Sequence, residues 1–343
     1  MPTAALLSFR LGGTDGGSVE AAKWQAALEA LGFSVTLIAG EGPVDHLVPG
    51  LAMGALDPPD EGALDRALDG AEVVIVENLC SLPLNPAAAE SVARLLAGRP
   101  AVLHHHDLAW QRPQLGTAPP PSDPAWRHVT INELSRGELA ARGIEATTIY
   151  NRFDTAEAPG RRWPTRAALG VASEQRLFLQ PTRALARKNV AGGIALAGAL
   201  GAVYWLLGPA EDGFGPELDR LMAAAPGPVR RGPGSEGLSM PDAYAACDLV
   251  LLPSTWEGFG NPTIESAVHR RPLCVGPYPV AEELAAFGFE WFGLDDPDRL
   301  GRWLEAPDEG LLRRNWEVAD AHFSLRELPG ALEAVLNSLA VSF

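Results

Sequence analysis

The chain has 343 residues, of which 47% are hydrophobic and 20% charged, so it is long and apolar enough for two buried cores. Its formal net charge is −16 and it has no basic tail, which excludes a general binder of nucleic acid or of anionic membranes. Three cysteines are scattered singly and form no CxxC pair or zinc spacing, so we interpret them as reduced, buried thiols: Cys80, Cys247 and Cys274.

Neither of the two stretches that bear on targeting predicts a membrane protein. The beginning, MPTAALLSFRLGG, lacks the basic residues and the small-residue cleavage site of a signal peptide. The uncharged window 191–210 is about long enough to span a bilayer, but it contains five glycines and Pro209. We interpret this window as an alanine-rich helix followed by a strand, and we expect a soluble, cytoplasmic protein.

The first half of the chain alternates apolar runs with amphipathic ones. A helix is predicted over 18–31 with Gly32 as its stop, and another from Asn85-Pro86 to Gly98, because Asn favours the N-cap and Pro the first helical position. Strands that alternate with helices indicate a mostly parallel, doubly wound sheet. The runs that read as buried strands are 4–9, 33–40, 72–78, 101–106, 127–132 and 146–151.

A polar, proline-containing break at 152–165 precedes a second alternation of the same kind. Helices are expected after 189, near 214–225, from Met240 and after Asn261, and the tail 308–340 is largely helical. We therefore predict an α/β protein with two Rossmann-like, doubly wound domains that face each other across a cleft. One is 1–155, joined by a C-terminal helix at about 325–343, and the other is 156–324. Its strands are expected at 176–180, 202–208, 228–232, 248–254 and 272–276.

The loop after the predicted strand 248–254 carries Glu257 and Glu265 on either side of a glycine turn. Ligands of parallel sheets bind at the carboxyl ends of strands, where this loop begins. The backbone N–H groups of Gly258 to Thr263 are expected to cradle anionic or hydroxylated groups, while the carboxylates accept hydrogen bonds from hydroxyls. A sugar nucleotide combines both features. The structural alternative is that Glu265 only favours a helix N-terminus and Glu257 is a surface residue.

A diphosphate needs positive charge, and the loop after the strand 176–180 offers Arg183 and Lys188. Arg forks onto phosphate oxygens and Lys acts as a point charge, so this pair can stabilise a leaving diphosphate without a metal ion. The alternative is a solvated basic loop. Two aspartate pairs are candidates for a metal clamp, Asp295-Asp296 and Asp57-Pro-Pro-Asp60, but neither follows a strand clearly. We predict no metal and no cofactor, and the sugar nucleotide, of the UDP- or GDP-sugar type, is the donor substrate.

The segment Glu257-Gly-Phe-Gly-Asn-Pro-Thr-Ile-Glu265 resembles the Glu-x7-Glu motif of family 4 retaining glycosyltransferases, which have the GT-B fold. The resemblance implies that Glu257 contacts hydroxyls of the donated sugar and that Glu265 holds the ribose. It also implies that the amides of Gly258, Phe259, Gly260 and Asn261 meet the sugar and the diphosphate.

Further segments carry the same resemblance, which covers 176–276 well and the rest of the chain loosely. Arg183 and Lys188 are similar to the family's diphosphate pair, and Arg187 has no assigned role. Gly208-Pro209 and Met240 are similar to segments that line the nucleotide site. Gly12-Gly13 follows the first strand and resembles the glycine loop that closes over the diphosphate, although a tight turn is the structural alternative. The spacing of these glycines gives no GxGxxG fingerprint, which disfavours nicotinamide binding.

Three histidines end the predicted strand 101–106. In an extended strand His104 and His106 share a face and His105 points away, and the sequence offers no clear third ligand, which disfavours a metal site. By the resemblance, His106 is the histidine that reaches the donated sugar, His104 is the competing register, and a buried structural histidine is the alternative for each. Acceptor contacts are expected from polar residues near strand ends: Asp107, Trp110, Arg112, Asn132, Glu133, Asn151 and Arg152.

These features predict a retaining glycosyltransferase that moves a hexose from a UDP-glucose or GDP-mannose type donor to a hydroxyl of a small-molecule or glycan acceptor without a metal. The resemblance implies a front-face displacement in which the leaving diphosphate helps to deprotonate the acceptor. Two alternatives are kept: a non-catalytic sugar-nucleotide-binding subunit, and another GT-B enzyme such as a sugar-nucleotide epimerase. No nucleic-acid partner is expected, and homo-oligomerisation or a partner that completes the acceptor site is left open.

Overall fold

The computed structural model describes residues 1–13 and 15–339. The chain divides into two compact units, which we call unit 1 (residues 1–152 and 325–343) and unit 2 (residues 153–324). The sequence-based boundary of 155/156 thus lies three residues from the division at 152/153. The predicted C-terminal helix ran to 343, and its last positions, 340–343, lie outside the described residues.

Within its described residues, unit 1 is built on a seven-stranded parallel sheet of order β3-β2-β1-β4-β5-β6-β7. Its strands are β1 (Thr3–Arg10), β2 (Ser34–Glu41), β3 (His46–Leu47), β4 (Val73–Glu77), β5 (Ala101–His105), β6 (Trp126–Thr130) and β7 (Ala146–Thr148). Its helices are α1 (Gly16–Ala30), α2 (Glu61–Ala67), α3 (Pro86–Leu96), α4 (Glu133–Ala140) and, from the end of the chain, α13 (Leu328–Ser338). The strand order reverses between β1 and β4.

Unit 2, all of whose residues are described, holds a six-stranded parallel sheet of order β10-β9-β8-β11-β12-β13. Its strands are β8 (Leu177–Gln180), β9 (Val203–Leu206), β10 (Val229–Arg231), β11 (Leu249–Leu252), β12 (Leu273–Val275) and β13 (Phe292–Gly293). Its helices are α5 (Arg162–Ala168), α6 (Val190–Ala199), α7 (Gly215–Ala223), α8 (Met240–Ala246), α9 (Pro262–Val268), α10 (Pro279–Ala285), α11 (Pro297–Glu305) and α12 (Glu309–Phe323). The strand order reverses between β8 and β11.

The predicted α/β class and the two parallel sheets are confirmed, because the apolar runs form buried central strands. Residues of β4 and β11 are almost completely buried, as expected for strands covered by helices on both faces. The window 191–210 contains α6 and β9, as predicted. In the described residues, no helix is both long and apolar enough to cross a membrane.

Helix α13 completes the core of unit 1. Its Leu332, Val335 and Leu336 share a buried apolar cluster with Trp24 and Leu28 of α1. Each buried aliphatic side chain contributes about 1.5–3 kcal/mol, so this late segment is part of the folded unit and not an appendage.

Candidate active site

In unit 2, two loops flank the point where the strand order reverses. The loop 181–189 follows β8 and the loop 253–261 follows β11, and such reversal points are where open parallel sheets bind ligands. Hydrogen bonds join the loops: the N–H of Thr255 donates to the carbonyl of Arg187 at 2.9 Å, and the amide of Asn189 donates to the carbonyl of Pro253 at 3.1 Å. The loops that carry the predicted cations and the first predicted glutamate are therefore held side by side.

Glu257 lies at the centre of a buried charge cluster. Its Oε1 is 2.5 Å from Nζ of Lys188 and accepts a hydrogen bond from the hydroxyl of Ser254 at 2.5 Å. Its Oε2 accepts from Arg187 at 2.8 Å. The side chains of Lys188 and Glu257 are only 10% and 7% exposed, so this is a desolvated ion pair and not a surface one. Arg187, which had no predicted role, is the second cation of this cluster.

The pKa values of Glu257 and Lys188 are both shifted downward, so the cluster favours the charged form of Glu257 and disfavours that of Lys188. Burial raises the pKa of Glu257, but the positive charges of Lys188 and Arg187 outweigh it, and the net shift is downward. Burial lowers the pKa of Lys188 and the neighbouring arginines add to this, while Glu257 acts in the opposite direction. One anion between two cations leaves an excess positive charge at the end of the sheet, which favours an anionic ligand.

Arg183 points to a different carboxylate. Its guanidinium is 2.5 Å from Glu211, in the loop after β9, and the two side chains are about one-third exposed. Gly208 and Pro209 pack against the same loop, because the carbonyl of Pro209 accepts from the N–H of Ala184 at 2.8 Å. A Cβ on Gly208 would lie 2.6 Å from the carbonyl oxygen of Thr182, so a side chain there would displace the loop.

The turn between the two glutamates depends on Gly260. Its φ of +88° is in the left-handed region, and a Cβ there would lie 2.2 Å from the hydroxyl of the buried Tyr278. That hydroxyl donates to the carbonyl of Phe259 at 3.3 Å, and the ring of Phe259 packs against Phe153. Because Phe259 is 3% exposed, its predicted ligand contact is limited to its backbone.

Two details of this turn differ from the sequence-based prediction. Asn261 occupies the N-cap of α9, but it has α-helical angles and its side chain makes no capping hydrogen bond. The N–H of Thr263, expected to be available to a ligand, donates instead to the carbonyl of Gly260 at 2.8 Å. The reason is that the chain already turns in a helical sense before Pro262, so the first helical amides are satisfied locally.

Glu265 lies in the first turn of α9 and is held from α8. The hydroxyl of Tyr244 donates to its Oε2 at 2.5 Å, and the ring of Tyr244 stacks on His269 at 4.6 Å. Burial, with the negative charge of Glu265, raises the pKa of Tyr244 far above its ordinary value, so the phenol stays a donor. Met240, the first residue of α8, is 39% exposed and lies on the surface.

In unit 1, the strand order reverses between β1 and β4. Gly12 and Gly13 follow β1, and Gly12 has a φ of +74°, with a hypothetical Cβ 2.6 Å from the ring of Pro43. The glycine loop is therefore a tight turn against a neighbouring loop, whatever it binds. The adjacent strand β4 ends in Glu77, which no sequence motif had singled out.

Glu77 joins two of the three histidines. His104 and His106 point to the same side of β5, as predicted, and Nδ1 of His104 and Nε2 of His106 each lie 2.9 Å from its carboxylate. His105 points away and bonds to Ser81 and His128 at 2.6 and 2.9 Å. The expectation that no third ligand accompanies the pair was wrong, because β4 and β5 are neighbours and Glu77 is in register with His104.

The atoms that could hold a cation here are already used by hydrogen bonds. Glu77, His104 and His106 each place one possible ligand atom within 4.8 Å of the others. The same atoms form the two carboxylate–imidazole hydrogen bonds of 2.9 Å. The two aspartate pairs considered for a metal clamp contain ordinary helix caps, since Asp296 accepts from Arg299 and Asp60 from Ala63, both at 3.0 Å.

Several predicted acceptor residues have partners within unit 1. Trp110 donates its indole N–H to Glu138 at 2.8 Å, and its ring carries Arg142 at 3.6 Å. Asp107 pairs with Arg112. The predicted acceptor roles stay predictions, and any ligand would meet side chains that are already oriented. Asn132 caps α4, because its side chain accepts a hydrogen bond from the N–H of Ser135 at 2.6 Å, and Glu133 pairs with Arg136. The last two positions, Asn151 and Arg152, follow β7.

Comparisons with known proteins agree with this architecture. No protein-family model matches the chain. A mannosylglucosylglycerate synthase from Petrotoga mobilis is 25% identical over 417 aligned positions, which cover 97% of this chain and 96% of that protein. The structure of Anabaena HepE in complex with UDP and glucose superposes with a TM-score of 0.77 at 18% identity, over 99% of this chain and all of that one. Sucrose-phosphate synthase from Thermosynechococcus elongatus gives a TM-score of 0.77 at 14% identity, covering 99% of each chain.

The two parallel sheets and these superpositions define the GT-B fold. Because this chain matches a protein named mannosylglucosylglycerate synthase over nearly its whole length, it is an enzyme of the glycosyltransferase class.

Proposed function

We propose that the enzyme transfers a hexose, with retention of anomeric configuration, from a nucleoside-diphosphate sugar to a hydroxyl of a small acceptor, without a metal ion. The observation that carries this proposal is the buried cluster of Lys188, Arg187 and Glu257 at the strand reversal of unit 2. It combines fixed positive charge with a carboxylate that accepts hydroxyl hydrogen bonds, and a sugar nucleotide needs both.

The sugar donor would bind across the two loops of unit 2. Its diphosphate takes the place of Glu257 as the partner of Lys188 and Arg187, with Arg183 in the same loop as a further cation. Glu257 then turns to hydroxyls of the hexose. Glu265, held by Tyr244, binds the ribose, and Gly208, Pro209 and Met240 line the nucleotide.

The chemistry would follow from charge that develops on the leaving group. The bond between the anomeric carbon and the diphosphate oxygen breaks, the cations stabilise the oxygen, and the acceptor hydroxyl forms the new bond on the same face. The acceptor proton passes to the departing diphosphate, so the balance needs no enzymic nucleophile. In unit 1, His106 would contribute a hydrogen bond to the reacting sugar, and Gly12 and Gly13 would shape the approach to the diphosphate.

The comparisons suggest which substrates to test first. The Petrotoga relative is named for a product with mannosyl, glucosyl and glycerate parts, and HepE was solved with UDP and glucose. We therefore propose GDP-mannose or UDP-glucose as donor and a small, carboxylate-bearing glycoside such as glucosylglycerate as acceptor.

The test is a panel of UDP-, GDP-, ADP- and dTDP-hexoses, each with and without candidate acceptors and with and without EDTA. Acceptor-dependent release of nucleotide, with a retained anomeric signal in the product NMR spectrum, is the expected result. A thermal shift without turnover would indicate a binding subunit, and conversion of the sugar without acceptor an epimerase. If EDTA abolished the activity and added Mg²⁺ restored it, the proposal that side-chain cations stabilise the diphosphate without a metal ion would be contradicted.

A further inference from the structure

Glu77 is a buried carboxylate that the proposed transfer reaction does not use. It is 1% exposed and ends β4, on one side of the strand reversal of unit 1. Ligands of parallel sheets bind at such reversals, so a charged residue there needs an explanation. Among the described residues, the carboxylate of Glu77 makes hydrogen bonds to His104 and His106. These two contacts must therefore account for the buried charge.

The hydrogen bonds fix which nitrogen of each ring carries a proton. An ionised carboxylate only accepts, so Nδ1 of His104 and Nε2 of His106 must both be N–H donors. For His106 this leaves Nδ1 as the nitrogen that faces away from Glu77. The side chain of His106 is 12% exposed, whereas that of His104 is 1% exposed, so a substrate can meet only the His106 ring.

His104 acts as an anchor for this arrangement. Its ring stacks on Trp24 with 4.1 Å between centroids, and its Nε2 is buried without a hydrogen-bond partner in the described part of the chain. A charged ring would leave a buried N–H unpaired, which is costly, so His104 is neutral. The proton that balances Glu77 therefore belongs to His106.

Asn78 holds the backbone of His106 in the same place. Its side-chain oxygen accepts from the N–H of His106 at 3.1 Å, and its own N–H donates to the carbonyl of His104 at 2.8 Å. Asn78 has a φ of +56°, a left-handed conformation that Asn adopts more readily than most residues other than glycine. Adjacent residues thus fix both the ring and the backbone of His106.

We propose that Glu77 is a positioning residue for the transfer reaction, orienting His106 so that its Nδ1 presents a proton to an oxygen of the reacting sugar or diphosphate. This inference rests on the proposed function, in which His106 contacts the substrate. Glu77 itself touches no substrate, and it acts by selecting the orientation and charge of the ring.

The surroundings of His106 favour the charged ring. Burial lowers its pKa, but the hydrogen bond and charge of Glu77 outweigh this and the net shift is upward. The required N–H at Nδ1 is then present at low pH and lost as pH rises through the His106 pKa. Other titratable or charged groups near this ring are His104, His105, which points to the opposite side of the strand, and Asp107. Glu20 of α1 is also near, and it is paired with Lys23.

The first experiment compares Glu77→Gln with the wild type across pH 5.5 to 9, with the sugar donor and acceptor found in the panel. We expect kcat to fall about 10- to 100-fold while KM for the sugar donor changes less than about threefold, because only ring orientation is lost. The alkaline limb of the kcat profile should move to lower pH. Glu77→Asp, which keeps the charge, should return that limb towards its wild-type position.

The matched control is Glu20→Gln. Glu20 is equally buried at 1% exposure and lies near the same ring, but its ion pair is with Lys23 at 2.6 Å. The alkaline limb in this variant should move to lower pH by clearly less than in Glu77→Gln, because Glu20 acts on the ring by charge alone and makes no hydrogen bond to it. If the alkaline limb moved equally in Glu77→Gln and Glu20→Gln, the proposal would be overturned, because the shift would then follow from the loss of any nearby negative charge.

Histidine ¹⁵N NMR spectroscopy tests the orientation without any activity measurement, with His106→Gln to assign the signal. In the wild type, Nε2 of His106 should carry a proton, and in Glu77→Gln the ring should lose its charge at lower pH. A wild-type ring with bare Nε2 would overturn the proposal, as would stoichiometric Zn²⁺ bound by the three side chains and needed for turnover. A wild type with the expected spectrum but no transfer to any acceptor would instead refute the proposed function.

Discussion

Unit 1 and unit 2 place the same kind of cluster at the same topological point. In each, a buried glutamate beside the strand reversal is held by two basic side chains: Glu77 by His104 and His106, and Glu257 by Lys188 and Arg187. The partners in unit 2 carry permanent charge, whereas those in unit 1 are imidazoles. Unit 2 is therefore suited to bind an anion at any ordinary pH, and unit 1 to place a proton whose presence depends on pH.

The largest expected effect comes from removing the permanent charge. Lys188→Ala should lower kcat about 1,000-fold, because one of the cations that stabilise the leaving diphosphate is lost. The chain has two lysines, and Lys23 is also paired with a buried glutamate, at 2.6 Å. Lys23→Ala is thus the matched control and should keep activity within about threefold. If steady-state assays showed a similar loss of kcat in both variants, the predicted role of Lys188 at the leaving diphosphate would be contradicted.

A second prediction compares the glycine turns beside the two clusters. Gly260→Ala should destabilise the protein by about 2–4 kcal/mol, because its Cβ would clash with a buried, hydrogen-bonded tyrosine. Gly12→Ala should cost about 1–2 kcal/mol, since the Cβ meets only the edge of a proline ring. Urea unfolding monitored by tryptophan fluorescence measures both values, and the reverse order would show that the unit 1 turn is the more constrained.

A third prediction separates binding from chemistry in unit 2. Glu265→Ala should raise KM for the sugar donor about 10- to 50-fold and leave kcat within a few-fold, because the ribose is bound equally in the ground and transition states. Tyr244→Phe removes only the hydroxyl that positions Glu265 and should raise KM about threefold. Initial rates and calorimetric titration with the free nucleotide measure both, and a fall in kcat alone would contradict the ribose role.

The smallest effect concerns the pH dependence of stability. Burial raises the pKa of Glu77, but His104 and His106 outweigh this and lower it from 4.5 to about 2. The contribution of Glu77 to folding stability is therefore present above pH 4.5 and lost as pH falls towards 2. His106 has a raised pKa, so its contribution is present below pH 6.5 and lost as pH rises through the folded value. The stability difference between the wild type and Glu77→Gln, about 1–2 kcal/mol, should therefore be largest between pH 4.5 and 6.5. Denaturant titrations at four pH values would measure it, and a flat difference would disprove the pairing.

The sequence predicted those parts of the site whose signals are contiguous in the chain. Glu257, Glu265 and the cation loop each follow an apolar run, and the end of a buried strand can be read from its residues. Five helices were missed, because short segments carry little periodic signal: α2, α4, α5, which begins inside the predicted break 152–165, α10 and α11. The two-residue strands β3 and β13 exist only through pairing with a neighbour.

Glu77 and Arg187 were missed for a different reason. The histidine partners of Glu77 lie 27 and 29 residues further along the chain, and Arg187 meets a carboxylate 70 residues away. Only strand order brings these groups together, and a single sequence does not state it. Had β4 and β5 been assumed adjacent, the glutamate that ends one strand and the histidines that end the next would have indicated the cluster.

The packing of α13 on α1 has a consequence for biosynthesis. Trp24, which stacks on His104, shares its apolar cluster with α13, while residues 153–324 form a unit of their own. During translation, unit 2 emerges complete before unit 1 can cover that face of α1. Unit 1 can therefore complete this part of its core only after residues 328–338 have been made, which is later than the whole of unit 2.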